Sequence, residues 1–256
     1  MDKNNIILGC GHTGTTLISG ILHINGYATN CVDNLYENTE LVRINEKILK
    51  KNIDENEIKS FFKKINKKNK YWTLKDPRLS DTIEYLEKFI KVPVRYIYNF
   101  REPGSTVNHL IKEYNSENMS YNDKLEASEK DWYDKNYKIL NFISKLNNDE
   151  YLIINYDDLL ELKLNVLLNR FFGKKLKFGY IKPKKRRSKT IEVDKKLSEL
   201  YLEINKKYHE SIIYWFLNSE TISAIKTYDK IYSNFYDIFF KIKRKINNCY
   251  YINSKI

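Results

Sequence analysis

The chain has 256 residues, 42% hydrophobic and 30% charged, with only 8 Gly and 4 Pro; this suits one soluble α/β domain with elaborations and excludes a collagen-like, a disordered or a two-large-domain protein. Its formal net charge of +12 favours an anionic partner, but Lys, Asn, Ile and Tyr are abundant from end to end, so the charge by itself selects no ligand. Cys10, Cys31 and Cys249 form no C-x-x-C pair and no His cluster accompanies them, which excludes a zinc site and points to a reducing, cytoplasmic setting.

Ile6 to Cys10 is a short apolar run entering a Gly-rich turn, and Thr15 to Asn25 carries Leu17, Ile18, Ile21 and Leu22 at helical spacing, so the chain opens as strand, loop, helix, with Gly26 as the helix stop. Asn38 or Thr39 starts a second helix through Leu41, Ile44 and Ile48. Asp54 and Glu57 read as a capping box for a third, which holds Ile58, Phe61, Phe62 and Ile65. Tyr71 to Lys75 reads as a strand ended by Asp76-Pro77-Arg78, because proline cannot continue a central ladder. A helix over about 81–90 follows, then a strand from Val94 to Phe100 that breaks at Arg101-Glu102-Pro103. Two more helical stretches flank Tyr151 to Asn155, a buried strand. Strands alternating with helices predict a P-loop-like parallel β-sheet flanked by helices. Beyond Gly173 the pattern changes to a basic run, Lys182 to Lys189, and then to helical text. The predicted division is a core over 1–180, with a basic loop and C-terminal helices over 181–256 packed on the same domain. The aromatic stripe of 221–246 packs against that domain or touches a membrane surface; no apolar run reaches the roughly 20 residues of a membrane span.

Gly9-Cys10-Gly11-His12-Thr13-Gly14-Thr15-Thr16 has P-loop spacing between a strand and a helix, a turn that aims backbone N–H groups at an anion. A nucleotide-hydrolysing P-loop carries Lys where this chain has Thr15, to neutralise the β- and γ-phosphates. The remaining donors, with the hydroxyls of Thr13, Thr15 and Thr16, suit a single 5′-phosphate. Thr13-Gly14-Thr15-Thr16 resembles the 5′-phosphosulfate loop of the sulfotransferases that use 3′-phosphoadenosine 5′-phosphosulfate (PAPS), with His12 in place of the usual basic residue. Leu74-Lys75-Asp76-Pro77-Arg78 and the stretch from Tyr36-Glu37-Asn38 to Ile44-Asn45-Glu46 resemble bacterial members acting on carbohydrates. Arg101-Glu102-Pro103 is similar to the family's 3′-phosphate segment, and Tyr156-Asp157-Asp158-Leu159 to its Tyr-Glu-Asp-Leu signature. The family places Ser eight residues after this arginine; here His109 stands there, beside Asn108.

The resemblance implies PAPS as donor, PAP as product, no required metal, and a hydroxyl of a sugar or glycolipid as acceptor. It implies cofactor contacts from Gly11, His12, Thr13, Gly14, Thr15, Thr16, Arg101, and from His109 or Asn108, with Arg186 and Arg187 of the basic run as a lid. Lys75 would offset charge on the sulfonate and Arg101 would anchor the 3′-phosphate. Glu37 is the first candidate for the base, Asp76 the second, His109 and His12 weaker ones, and Glu37 and Arg78 would face the acceptor. Trp72 and Trp132 are compatible with sugar stacking. Two other readings stay open: a kinase-like phosphotransferase in which Lys75 replaces the loop lysine, and a non-catalytic anion- or nucleic-acid-binding protein; nucleic acid is not the expected partner. The oligomeric state is not legible.

Overall fold

The computed structural model describes residues 3–29, 31, 35–114, 119–161, 163–179 and 189–217. Four parallel strands, β1 (Asn4–Leu8), β2 (Thr73–Lys75), β3 (Val94–Phe100) and β4 (Tyr151–Asn155), form one sheet in the order β2-β1-β3-β4. Ile6 lies opposite Leu74 on one side and Tyr96 on the other, and Tyr98 lies opposite Ile153. All but one residue of the four strands are buried, as expected of a parallel sheet covered on both faces. The chain steps from β1 to one side, then returns across it to β3. Its winding therefore reverses between β1 and β3, and the carboxyl edge at that reversal is where open α/β sheets hold ligands.

The sheet contains the four predicted strands, β3 and β4 with the expected bounds; β2 begins two residues later than Tyr71, and β1 lies two residues earlier than the apolar run suggests. Asn4 and Asn5 join the ladder, and Asn4 Oδ1 accepts the Trp72 backbone N–H at 3.0 Å. Gly9 and Cys10 have left the ladder and belong to the turn.

Helix α1 (Thr15–Ile24) ends before Gly26, whose φ of 90° no side-chain-bearing residue adopts easily. Asn38 caps α2 (Thr39–Leu49) through the Leu41 N–H at 3.0 Å. Asp54 caps α3 (Glu55–Lys68) through the Asn56 N–H, but the predicted capping box does not close: Glu57 turns instead to Arg43 and Lys47 of α2, at 2.5 and 2.7 Å. Two cations on the neighbouring helix outcompete one backbone N–H.

The predicted helix over about 81–90 is α4 (Leu79–Leu86) continued by a 3-10 turn, Glu87–Phe89. Pro103 opens α5 (Pro103–Glu113), where its missing N–H costs nothing, and Glu102 accepts the Gly104 and Ser105 N–H groups at 2.7 Å. A Ser120–Asp123 capping box starts α6 (Tyr121–Ile143). Asn155 caps the short α7 (Tyr156–Leu160), and α8 (Asn165–Phe172) and α9 (Lys195–Leu217) follow.

The core centres on Ile7, Leu8, Ile97, Ile153 and Ile154, each fully buried and each stabilising the fold by about 1.5–3 kcal/mol. Trp72 and Trp132 belong to it too, both at 0% exposure, which corrects their reading as sugar-stacking surfaces: large apolar rings beside the sheet are drawn into its core. Residues Met1–Trp215 form one unit. The basic run with Arg186 and Arg187, and the helical text of 221–246, lie outside the described residues. Among the described residues no helix is long and apolar enough to cross a membrane.

Candidate active site

Every loop that leaves the carboxyl edge of the sheet reaches one cavity of about 880 Å³. After β1 come Gly11, His12, Gly14, Thr15 and Thr16; after β2, Lys75 and Pro77; after β3, Arg101; after β4, Tyr156. Leu35 and Glu37 close one side, and His109, Leu110, Glu113 and Tyr114 of the α5 region, with Asp131 and Lys135 of α6, close the other.

The Gly-rich turn gets its shape from two left-handed residues, His12 at φ 61° and Gly14 at φ 90°. Gly14 is required twice over, since a Cβ there would fall 2.2 Å from the Tyr156 ring. Helix α1 begins directly after it with no side-chain cap and no acid in its first turn, whereas α2, α3, α5, α6 and α7 are all side-chain capped. An uncapped helix start facing a cavity offers N–H groups and the positive end of the helix dipole to an anion. Thr13 does not join them: fully buried, it donates its hydroxyl to the Cys10 carbonyl at 2.7 Å and accepts Asn99 Nδ2 on its own carbonyl at 2.8 Å. The structure thus gives Thr13 the task of holding the turn, in place of the expected ligand contact. Burial pushes the Cys10 thiol up to about 12, so this residue is an inert filler beneath the turn.

Lys75 leaves β2 with its side chain only 4% exposed, and its Nζ meets Glu37 Oε1 at 2.5 Å, with the Leu35 carbonyl at 3.4 Å. Glu37 is held from both flanks, by Asn38 capping α2 and by Tyr36 in the left-handed region at φ 56°. A bulky residue held there marks a position that its surroundings over-determine.

Asp76 lies elsewhere. Its buried carboxylate accepts Asn45 Nδ2 at 2.8 Å and both the backbone N–H and the guanidinium of Arg78 at 3.0 Å, and Asn45 in turn accepts the Thr82 hydroxyl. Neither Asp76 nor Arg78 lines the cavity. Arg78 reaches back to Asp76 and Glu46, so the two tie β2 to α2 and α4, and the expected base and acceptor roles do not fit their positions.

Arg101, 6% exposed at the end of β3, lies with its guanidinium 4.7 Å from the Tyr156 ring centre, a cation–π contact that fixes its direction. His109 stacks on His12 at 5.2 Å between rings, and His12 Nε2 is 2.8 Å from Glu113. Burial, followed by the charges of His12, Arg101 and Lys112, holds the His109 imidazole below its ordinary value. Asn108, the alternative donor, gives its amide to the Lys189 carbonyl at 2.7 Å instead and does not line the cavity. Around it Thr190 meets Ser105 at 3.0 Å, so residues 189–190 are pinned across the start of α5.

Sequence reasoning missed Asn99, Tyr114, Asp131 and Lys135. Asn99 left a readable trace, a polar residue inside an apolar strand two positions before Arg101. Asp131 and Lys135 left none, because an i,i+4 pair on a long helix looks the same whether it faces solvent or a cavity. Tyr156 was noted only as the head of its segment, without a role.

No family model matches the sequence, and no curated protein sequence is similar to it. Solved structures do share its fold. Sulfotransferase STF9 from Mycobacterium avium superposes with a TM-score of 0.53 at 13% identity, over 80% of this chain and 76% of that one. The sulfotransferase domain from the Synechococcus PCC 7002 olefin synthase gives 0.51 at 14% identity, over 84% and 94%. The sulfotransferase domain from the curacin biosynthetic pathway gives 0.46 at 16% identity, over 80% and 92%. The first two establish that the chain has a fold found in sulfotransferases.

Proposed function

We propose that the protein is a sulfotransferase that moves a sulfuryl group from PAPS to a hydroxyl of a carbohydrate or glycolipid acceptor, releasing PAP. The observation that carries this reading is the pair of buried Lys75 and half-buried Glu37 at 2.5 Å, in the cavity that also holds an uncapped phosphate-type turn lacking its own lysine. A cation for the group in flight and a carboxylate for the incoming proton stand together where the turn would present a 5′-phosphate.

The residues fit such a donor. Gly11, Gly14, Thr15 and Thr16 would hold the 5′-phosphate, and Arg101, aimed by Tyr156, would hold the 3′-phosphate with His109 beside it. The acceptor oxygen forms a bond to sulfur as the bond from sulfur to the 5′-phosphate oxygen breaks; the acceptor proton passes to Glu37, and the electron pair leaves on PAP. Lys75 turns from Glu37 towards the sulfonate as charge builds there, which frees the carboxylate to take the proton. Positioning and fixed charge supply the rate, as in phosphoryl transfer, and the chemistry requires no metal. The protein acts in the cytoplasm, with residues 1–180 as the donor-binding core. Arg186 and Arg187, outside the described residues, would add positive charge for the nucleotide.

A thermal-shift comparison tests this. A ligand that binds only the native state raises the melting temperature by an amount set by its concentration over Kd, about 2.7 kcal/mol of added stability at 100 Kd. PAP should raise it without added metal, and AMP and Mg²⁺·ATP should do so far less. A larger shift with Mg²⁺·ATP would favour the kinase-like reading.

A further inference from the structure

The α5–α6 side of the cavity holds a group of side chains that the donor chemistry does not use: Tyr114 after α5, and Asp131 and Lys135 on α6. Lys135 Nζ lies 2.7 Å from one oxygen of Asp131 and 2.8 Å from the other. The next i,i+4 pair on the same helix, Lys130 with Asp134, is 72% and 41% exposed, whereas Lys135 and Asp131 are 20% and 28% exposed. The pair is therefore turned inward, and Cys10 Sγ of the phosphate turn lies 3.8 Å from Asp131, one side chain away from the turn. Burial, then the Asp131 carboxylate, raises the Tyr114 phenol above its ordinary value, so it stays an O–H donor.

We propose that Tyr114, Asp131 and Lys135 form the acceptor subsite, and that it takes an electrically neutral, polyhydroxylated ring, a neutral hexose or N-acetylhexosamine unit, in preference to a uronate or an amino sugar. This rests on the sulfotransferase reading and makes its acceptor specific. An ammonium bound to both oxygens of one carboxylate still has N–H groups to give, and the carboxylate still has lone pairs to accept with. Donor and acceptor thus stand side by side at the spacing of neighbouring ring hydroxyls, each of which both donates and accepts. Tyr114 adds an O–H and a ring face for the sugar's C–H side.

Charge selects among sugars. Among the described residues, the carboxylates lining the cavity are Glu37, Glu113 and Asp131, and each faces a cation or histidine: Lys75, His12 and Lys135. The further cation among the described lining residues, Arg101, lies over Tyr156 at the nucleotide end. A charged substituent arriving at Tyr114 meets a matched pair and loses its hydration without a new counter-charge, which disfavours it.

Titration of methyl glycosides of glucose, galactose, N-acetylglucosamine, glucuronic acid and glucosamine into the PAP-saturated protein, read by saturation-transfer NMR, decides the matter. At least one neutral glycoside should bind, ten-fold or more tighter than the uronate and the amine. Asp131→Asn and Tyr114→Phe should each weaken it several-fold while PAP affinity stays within two-fold of wild type, which also shows that the variants fold. Equal or tighter binding of the uronate or amine, unchanged sugar binding by both variants, or no glycoside binding at all would overturn the proposal. If PAP itself fails to bind, the donor reading falls, and the same glycosides titrated into the free protein still decide the subsite.

Discussion

Lys75 and Glu37 each depend on the other: the Lys75 side chain, only 4% exposed, ends 2.5 Å from the Glu37 carboxylate, and removing either leaves its partner uncompensated. Lys75→Ala and Glu37→Gln should each lower sulfuryl transfer from PAPS by about 100-fold or more, with PAP affinity by calorimetry changed far less. Turnover within a few-fold of wild type would remove that residue from the chemistry. His109 predicts a pH effect of definite sign. Its imidazole is held below the ordinary value by burial and neighbouring cations. An arriving phosphate offsets those cations and draws a proton onto the ring, so bound PAP raises its pKa and binding takes up a proton. PAP affinity measured from pH 8 to 5.5 should therefore gain more, or lose less, in wild type than in His109→Gln; parallel profiles would contradict this. Without ligand the sign is also fixed: as pH falls from about 6.5 towards the lowered native value, the unfolded chain takes up the proton first, so His109 subtracts stability there and has no effect above that window.

At the scale of elements, the starts of α1 and α2 and the ends of β2 and β3 build the site, and their legibility differed. The turn before α1 was readable because Gly9 and Gly14 at P-loop spacing between a strand and a helix admit few alternatives, and the end of β2 because Pro77 stops a strand. The failed capping box at Asp54 and Glu57 shows the limit: local spacing names a partner, and a neighbouring helix can offer two better ones. The site members found only in the structure come from tertiary placement, as α6 packs so that Asp131 reaches the turn 121 residues before it. Gly14 and Gly26 allow a controlled test of the turn. Both sit at φ 90°, but a Cβ on Gly26 meets nothing within 4 Å while one on Gly14 overlaps Tyr156. Gly26→Ala should cost about 1–2 kcal/mol of stability from left-handed backbone strain alone. Gly14→Ala should cost at least about 1 kcal/mol more, from overlap in a packed region, and should weaken PAP binding as well. Equal losses in urea denaturation would contradict the close packing of Tyr156 on the turn.

For the whole molecule, the pattern of strands and helices was enough to predict a parallel sheet, and the order β2-β1-β3-β4 gives that prediction its functional meaning. Strand order cannot be read from periodicity, because it depends on which edge each returning strand selects; with it, residues spread over more than a hundred positions share one edge. The excess positive charge was the least informative feature, since among the described residues the acids lining the cavity are paired one by one with basic groups.

In the proposed reading the turn from Gly11 to Thr16, without a lysine of its own, would hold the 5′-phosphate of an activated sulfate while Arg101 would hold the other phosphate. A crystal structure of the protein with PAP tests it most directly. The 5′-phosphate should lie against the backbone of Gly14, Thr15 and Thr16, the 3′-phosphate within hydrogen-bonding distance of Arg101, and Lys75 at the place the sulfonate has left. A nucleotide bound away from that turn, or reversed so that its 3′-phosphate meets Lys75, would contradict it.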